Sequence, residues 1–409
     1  MRIFVGYSDT ISDRRLKLGS DRCRLCRYDR TSTETKRLNS FFQHSLRIIQ
    51  AYALGYYGGK AVDSEQQHFH FNLNHHLYEI FVIVLACVLG IASYYNSLPG
   101  IWIYDDWEAI VFNQDVTSIA RTGKTLTQRL LAATFSSEFW SHDFWGQPLT
   151  SLRSHKSWRP LTILTYRVQA ATVLHPEHLL FAPEDAAWFR GVNVILHGIC
   201  SGVLAFWLSQ ILKVSNTIAL IASVFFAVHP VHTEVINCGV GRAEILSGIF
   251  FLVSLCAHAR YCREHNSRHN DWSIHKWQIL AMLCGFLAML SKETGITCLG
   301  VCAVQDIFLT YCSWQEKKKN SNEESKEKFN FVVSFLKSPF VNDSNEGYIL
   351  TKLWRRICTL FLTVILFVMI RLHVMGWTTP GDVRAFSQFD NPLAHTKDRT
   401  SRVRQKRSN

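Results

Sequence analysis

Charge is scarce in this chain. Only 19% of its 409 residues are Asp, Glu, Lys or Arg, and long stretches carry none at all. A soluble globular domain draws on roughly 25% charged residues to cover its surface, so that class is excluded. The apolar runs begin only near residue 80, so the expectation is that no secretory leader precedes them and that the first span anchors and orients the chain itself. Cysteine offers no framework either. Most of the 12 are scattered through apolar stretches, where they act as small hydrophobes, and the pair Cys23-x-x-Cys26 lacks the second half that a zinc site needs.

What the chain has instead is hydrophobic residues, 48% of the total, gathered in blocks, with aromatics at 13%. The blocks fall near 80–95, 192–212, 217–231, 243–262, 277–290, 295–311 and 353–375, which predicts about seven spans. Several are short of the roughly 20 residues a perpendicular span needs, so tilted or half-buried helices packed on their neighbours are expected. Twelve Lys and Arg precede the first span, placing the N-terminus in the cytosol. Alternating spans then put 213–216, 263–276 and 312–352 on the cytosolic side. The sequon at Asn342 falls there and is expected to go unused.

Every polar cluster of unusual composition then lands on the opposite, luminal face. Asp105 and Asp106 open a loop expected over about 96–189; His229-Pro-Val-His-Thr-Glu234 and Gly241-Arg242-Ala-Glu244 follow; Ser291-Lys-Glu-Thr-Gly295 forms a third group. Carboxylates at a membrane edge are costly unless solvated or paired, which makes the aspartate pair a candidate site, against the simpler reading of a solvated cap on the first span. Adjacent like charges repel, and one of the two is expected to hold its proton more tightly. Arg242, Lys292 and Arg159 are the candidate cations, with a membrane-edge anchor or a partnership with Glu244 as the plainer reading of Arg242. Lys292 and Glu293 break an apolar stretch at 279–309 and imply a tight turn, with Gly295 supplying backbone freedom. His229, His232 and Glu234 offer three metal ligands, but Pro230 fits an ordinary turn and no fourth ligand is evident. His197, on an apolar span, reads as a core histidine. The loop aromatics Phe135, Phe139, Trp140, Phe144, Trp145 and Trp158 are expected at the membrane interface, and 161–174 as an amphipathic helix in the headgroup plane.

In order, these pieces resemble the transmembrane and tetratricopeptide-repeat O-mannosyltransferases of the endoplasmic reticulum. The matching motifs are Tyr104-Asp-Asp-Trp107 with Asn113-Gln-Asp115, Asp143-Phe-Trp-Gly146, Ser154-His-Lys-Ser-Trp-Arg-Pro160 with Leu164-Thr-Tyr-Arg167, and Val192-Asn-Val-Ile-Leu-His197. His229-Pro-Val-His-Thr-Glu234, Val240-Gly-Arg242, Ser291-Lys-Glu-Thr-Gly295 and the stretch from Arg371 to Pro392 continue the series. The resemblance implies an all-α polytopic membrane protein with a GT-C-like helical bundle. It also implies a mannosyltransferase that carries mannose from dolichyl phosphate mannose to Ser or Thr hydroxyls of secretory-pathway proteins, cadherins among them, with no metal or other cofactor. The implied partners are the dolichyl-linked sugar donor, the protein acceptors and the lipid bilayer, with no nucleic acid. Asp105 becomes the expected base, with Asp106 orienting acceptor or sugar. Arg159, His229, His232, Glu234, Arg242, Lys292 and Glu293 become expected substrate or lipid-phosphate residues.

The chain also departs from the family. After residue 393 a basic tail, 394–409, matches nothing in it; 377–393 resembles the start of a luminal segment, and no period of about 34 residues marks a repeat array. A C-terminally truncated form is the expectation, and an inactive or noncatalytic regulatory relative is the alternative function. Residues 1–78, basic and rich in histidine at 68–76, read as a disordered cytosolic extension, with the GT-C-like domain at 79–376.

Overall fold

The computed structural model describes residues 65–121, 125–151, 154–173, 185–267, 272–319, 335 and 345–377. Most of the expected N-terminal extension with Cys23 and Cys26, the sequon at Asn342 and everything after 377 lie outside the described residues.

The described residues are helical, and no strand occurs among them. In chain order, α1 is Glu65–Ala92, α2 Leu126–Phe135, α3 Pro160–Val173, α4 Asp185–Phe206 and α5 Asn216–Val228. Then follow α6 His232–Asn237, α7 Arg242–Ser267, α8 His275–Ser291, α9 Cys298–Lys319 and α10 Asn345–Val374. All seven apolar blocks form helices. Among the described residues, five segments are long and apolar enough to cross a bilayer: His76–Ser97, Asp185–Ile211, Gly239–Asn266, Glu293–Gln315 and Tyr348–Val374. The other two blocks make shorter helices, α5 of 13 residues and α8 of 17. At 1.5 Å per residue α5 is only about 20 Å long against a hydrocarbon core of about 30 Å. Chemistry sets its ends: Ser215 Oγ accepts from Ile218 N at 3.5 Å, and Pro230 forces His229 into extended backbone. The first helix, Glu65–Ala92, reaches upstream of the apolar run at 80–95, and 65–79 carries neither glycine nor proline to interrupt it.

The helices alternate in direction, and bonds at each end fix the arrangement. At one end Tyr94 OH donates to His229 O (2.6 Å), Arg190 Nε to Asn237 O (2.7 Å), Thr162 Oγ1 to Ser291 O (2.9 Å) and Arg371 Nη2 to Lys156 O (3.0 Å). At the other, Arg263 Nη2 donates to Gln210 O (3.2 Å) and Ile211 O (3.0 Å), and Lys352 Nζ to His265 O (2.8 Å). The first set is the loop end, where the segment between α1 and α4 folds.

That segment is a packed unit rather than an interfacial apron. Phe139, Phe144 and Trp158 are buried, and Phe139 and Phe144 join Trp102, Ile110, Tyr166 and Phe189 in one core; only Phe135 and Trp140 of the six aromatics are exposed. The expected helix exists as α3, but protein covers both its polar and its apolar sides. Tyr166 and Arg167 are enclosed, and Arg167 donates to Ala133 O (3.0 Å), Ala132 O (3.2 Å) and Asp115 O, so both polar and apolar faces meet protein.

Candidate active site at the loop end

After α1 the chain turns at Tyr104, whose φ of 45° lies in the left-handed region that few non-glycine residues occupy. The turn separates the two aspartates that follow. Asp105 is exposed, its main-chain oxygen accepting from Ala109 N at 2.9 Å in one α-helical turn. Asp106 is 1% exposed; its Oδ1 accepts from Val240 N at 3.0 Å and its Oδ2 from Ile103 N at 3.4 Å. Burial pushes the Asp106 carboxyl above the usual carboxylate range, against the lowering effect of the Val240, Gly239 and Ile103 amides and of the Arg190 charge. One of the pair does hold its proton more tightly, but the cause is lost solvation rather than repulsion between neighbours.

Asp106 therefore reaches across to the start of α7, and Gly239 permits the contact. A Cβ there would stand 2.7 Å from Ile110 Cδ1 and 3.2 Å from Asp106 Oδ1. Tyr166 OH donates to Gly239 O (2.8 Å), and Asn193 Nδ2 to Cys238 O (2.9 Å). Arg242 closes the knot. It is 0% exposed, with Nε donating to Asn193 Oδ1 (2.9 Å), Nη2 to Phe189 O (3.0 Å) and Nη1 to Thr165 Oγ1 (3.4 Å), over the ring of Tyr166 at 4.7 Å. Neither Glu244 nor open space faces its guanidinium, so the expected phosphate role does not fit Arg242. The fork locks α3, α4 and α7 around the aspartate turn.

A second polar group stands beside this knot. Lys292 is in extended backbone after α8, and its Nζ pairs with Glu244 on the first turn of α7. Arg159 Nε pairs with Glu293 Oε2 at 3.0 Å, and Arg371, from the end of α10, reaches Glu293 Oε1 at 3.4 Å. Three cations face two carboxylates, and one positive charge is in excess. Arg371 Nη1 is buried and meets no hydrogen-bond partner among the described residues. The expected tight turn is present, but Gly295 is needed for close approach: a Cβ there would lie 2.3 Å from Ala288 O. Arg371 sits in a matching motif, yet nothing in the sequence separates it from an ordinary basic helix end.

The histidines stand at the same end on the α5–α6 connection. His229 Nδ1 accepts from Val231 N at 3.1 Å, which makes it a turn residue, and His232 lies against Phe226 and His197, ring centres 4.6 and 4.9 Å away. Burial first, then the neighbouring His197 and His229, lowers the His232 pKa. Glu234 is exposed. His229, His232 and Glu234 do not bring three ligand atoms within reach of one ion. His197 is buried, with Nε2 3.1 Å from Ala227 O.

These features define an all-α polytopic membrane protein whose polar machinery is concentrated at one end of its helices. The chain is 32% identical to protein O-mannosyl-transferase TMTC4 of Mus musculus over 325 residues, 75% of this chain and 38% of that protein. It is 32% identical to protein O-mannosyl-transferase tmtc2 of Xenopus laevis over 311 residues, and to TMTC3 of Homo sapiens over 314; each alignment takes in 76% of this chain, against 31% and 29% of those proteins. No family model and no solved structure matches the chain. Through this shared region the chain belongs to the TMTC family of protein O-mannosyl-transferases. It spans less than two fifths of the length of these relatives.

Proposed function

We propose that the chain carries the membrane-embedded catalytic region of a protein O-mannosyltransferase of the endoplasmic reticulum, with the loop end facing the lumen. The donor is dolichyl phosphate mannose and the acceptor a Ser or Thr hydroxyl of a secretory-pathway protein, of cadherin type. The acceptor oxygen attacks the anomeric carbon, its proton passes to Asp105, the bond from that carbon to phosphate breaks, and dolichyl phosphate leaves. Positive charge gathers on the sugar in the transition state, and a nearby carboxylate stabilises it. The departing phosphate already carries negative charge and needs no general acid, so one carboxylate serves an inverting displacement. The reaction as drawn requires no metal or cofactor.

The division of labour within the aspartate pair carries this reading. A base has to meet the acceptor, and Asp105 is exposed; Asp106 is committed to two backbone amides and acts as a positioning residue that holds the turn. We assign the donor phosphate to Arg159, Arg371 and Lys292, whose net positive charge in a partly buried setting suits an anion. Arg242 holds the frame that brings these groups to one end.

The test is transfer of mannose from the dolichyl donor to a cadherin-domain acceptor by the full chain in liposomes. Asp105→Asn is expected to lower kcat by roughly 10²- to 10⁴-fold with donor binding retained. Unchanged transfer by that variant removes Asp105 from the chemistry. If the unsubstituted chain binds the donor and transfers nothing, the catalytic reading of the region itself fails.

A further inference from the structure

The far end of the bundle holds a group of side chains that mannose transfer leaves without a task. His258 and Cys262 lie one turn apart on the same face of α7, and Asp306 faces them from α9; all three are buried. Ionisable side chains collected inside a span are rare enough to call for a function. His258 Nε2 stands 3.4 Å from Cys262 Sγ and 3.6 Å from Asp306 Oδ2, and the three ligand atoms all lie within 4.8 Å of one another. In a tetrahedral site with nitrogen and oxygen ~2.0 Å and sulfur ~2.3 Å from the metal, the nitrogen–sulfur edge is ~3.6 Å and the nitrogen–oxygen edge ~3.3 Å. The observed spacings match both edges within a few tenths of an ångström.

The surroundings complete the picture. Arg356 from α10 grips Asp306 through Nε to Oδ2 (2.7 Å) and Nη2 to Oδ1 (2.9 Å), and Thr310 Oγ1 also donates to Oδ1 (3.4 Å), which fixes the carboxylate and leaves the second lone pair of Oδ2 towards His258. Outer partners of this kind hold metal-binding carboxylates in register. His258 Nε2 is the nitrogen aimed at both other ligands, and Nδ1 is buried with no hydrogen-bond partner among the described residues. A cavity of about 200 Å³ adjoins the group, with Cys262 and Asp306 in its wall beside Asn266, Thr310, Lys213 and Arg263. It offers an entry path and room for a water as fourth ligand.

We propose that His258, Cys262 and Asp306 form a three-ligand site for a divalent transition-metal ion of the zinc class, with the fourth position open to the cavity. Mixed imidazole, thiolate and carboxylate donors suit zinc, or cobalt as its spectroscopic substitute, and not magnesium or calcium. On binding, the metal–sulfur bond forms as the Cys262 thiol gives its proton to water in the cavity. The site is independent of the mannose-transfer reading.

The experiment uses the full chain in detergent, with Cys23→Ser and Cys26→Ser to remove the other cysteine pair, loaded with one equivalent of cobalt(II) and freed of excess. One cobalt per chain is expected, with tetrahedral visible bands and a thiolate-to-cobalt charge-transfer band in the near ultraviolet. Adding Cys262→Ser is expected to abolish the charge-transfer band and weaken retention at least tenfold. Cys312→Ser, at a cysteine that lines the same cavity outside the ligand set, is expected to keep both. The parent spectrum needs no variant to fold: absence of the thiolate band from the loaded parent overturns the proposal, as does its persistence in the Cys262→Ser chain.

Discussion

At the scale of single residues, the two members of the aspartate pair answer to different physics. Asp106 holds its proton more tightly folded than unfolded, so its contribution to stability is largest at acid pH. That contribution falls as pH rises from the ordinary carboxylate value near about 4 through the raised folded value, and is flat above it. Asp106→Asn keeps an oxygen for the Val240 amide and is expected to flatten this limb, measured as Tm against pH in detergent; an unaltered slope assigns the dependence to another group. Arg242→Met is expected to cost about 3 kcal/mol or more in thermal unfolding, since it strands Asn193 Oδ1 in a closed interior. The sequence marks Asp105, Asp106 and Arg242 as polar residues out of place, but exposure decides their tasks, and exposure arises from contacts such as Asp106 with Val240, 134 residues apart. Arg371 was beyond such reading for the same reason: its neighbours are Lys156 and Glu293, on other elements.

At the scale of elements, the apolar blocks predict the helices well, because uncharged runs and their polar breaks follow directly from the cost of burying charge. The loop aromatics and α3 were harder. A helix that is polar on several sides reads as interfacial, and only the partners of Arg167 and Tyr166 reveal it as the centre of a packed unit. Asp306 sits inside an apolar block without any motif, and its partners His258 and Arg356 are roughly fifty residues away in either direction. The joint between the aspartate turn and α7 depends on one small residue. Gly239→Ala introduces a contact of 2.7 Å with Ile110, and this crowding is expected to destabilise the protein by about 1–3 kcal/mol and depress transfer together. A chain that keeps both Tm and transfer after that change has a looser joint than described.

At the scale of the whole molecule, polar machinery at the loop end and a buried cluster towards the other give the bundle two distinct poles, whose sidedness two single substitutions can read. Phe135→Asn completes an acceptor for N-glycosylation with Ser136 and Ser137 at an exposed site of the loop end, and Lys213→Asn does so with Val214 and Ser215 at the opposite end. Expressed in microsomes, the first is expected to gain a glycosidase-sensitive glycan and the second to gain none; the reverse pattern inverts the assigned topology. The unpartnered Arg371 nitrogen bears on turnover. A buried donor left without an acceptor is costly, and an arriving phosphate oxygen relieves that cost whether it belongs to the donor or to the spent carrier. On the proposed reading, dolichyl phosphate is expected to compete with the donor, and Arg371→Met is expected to weaken that product inhibition.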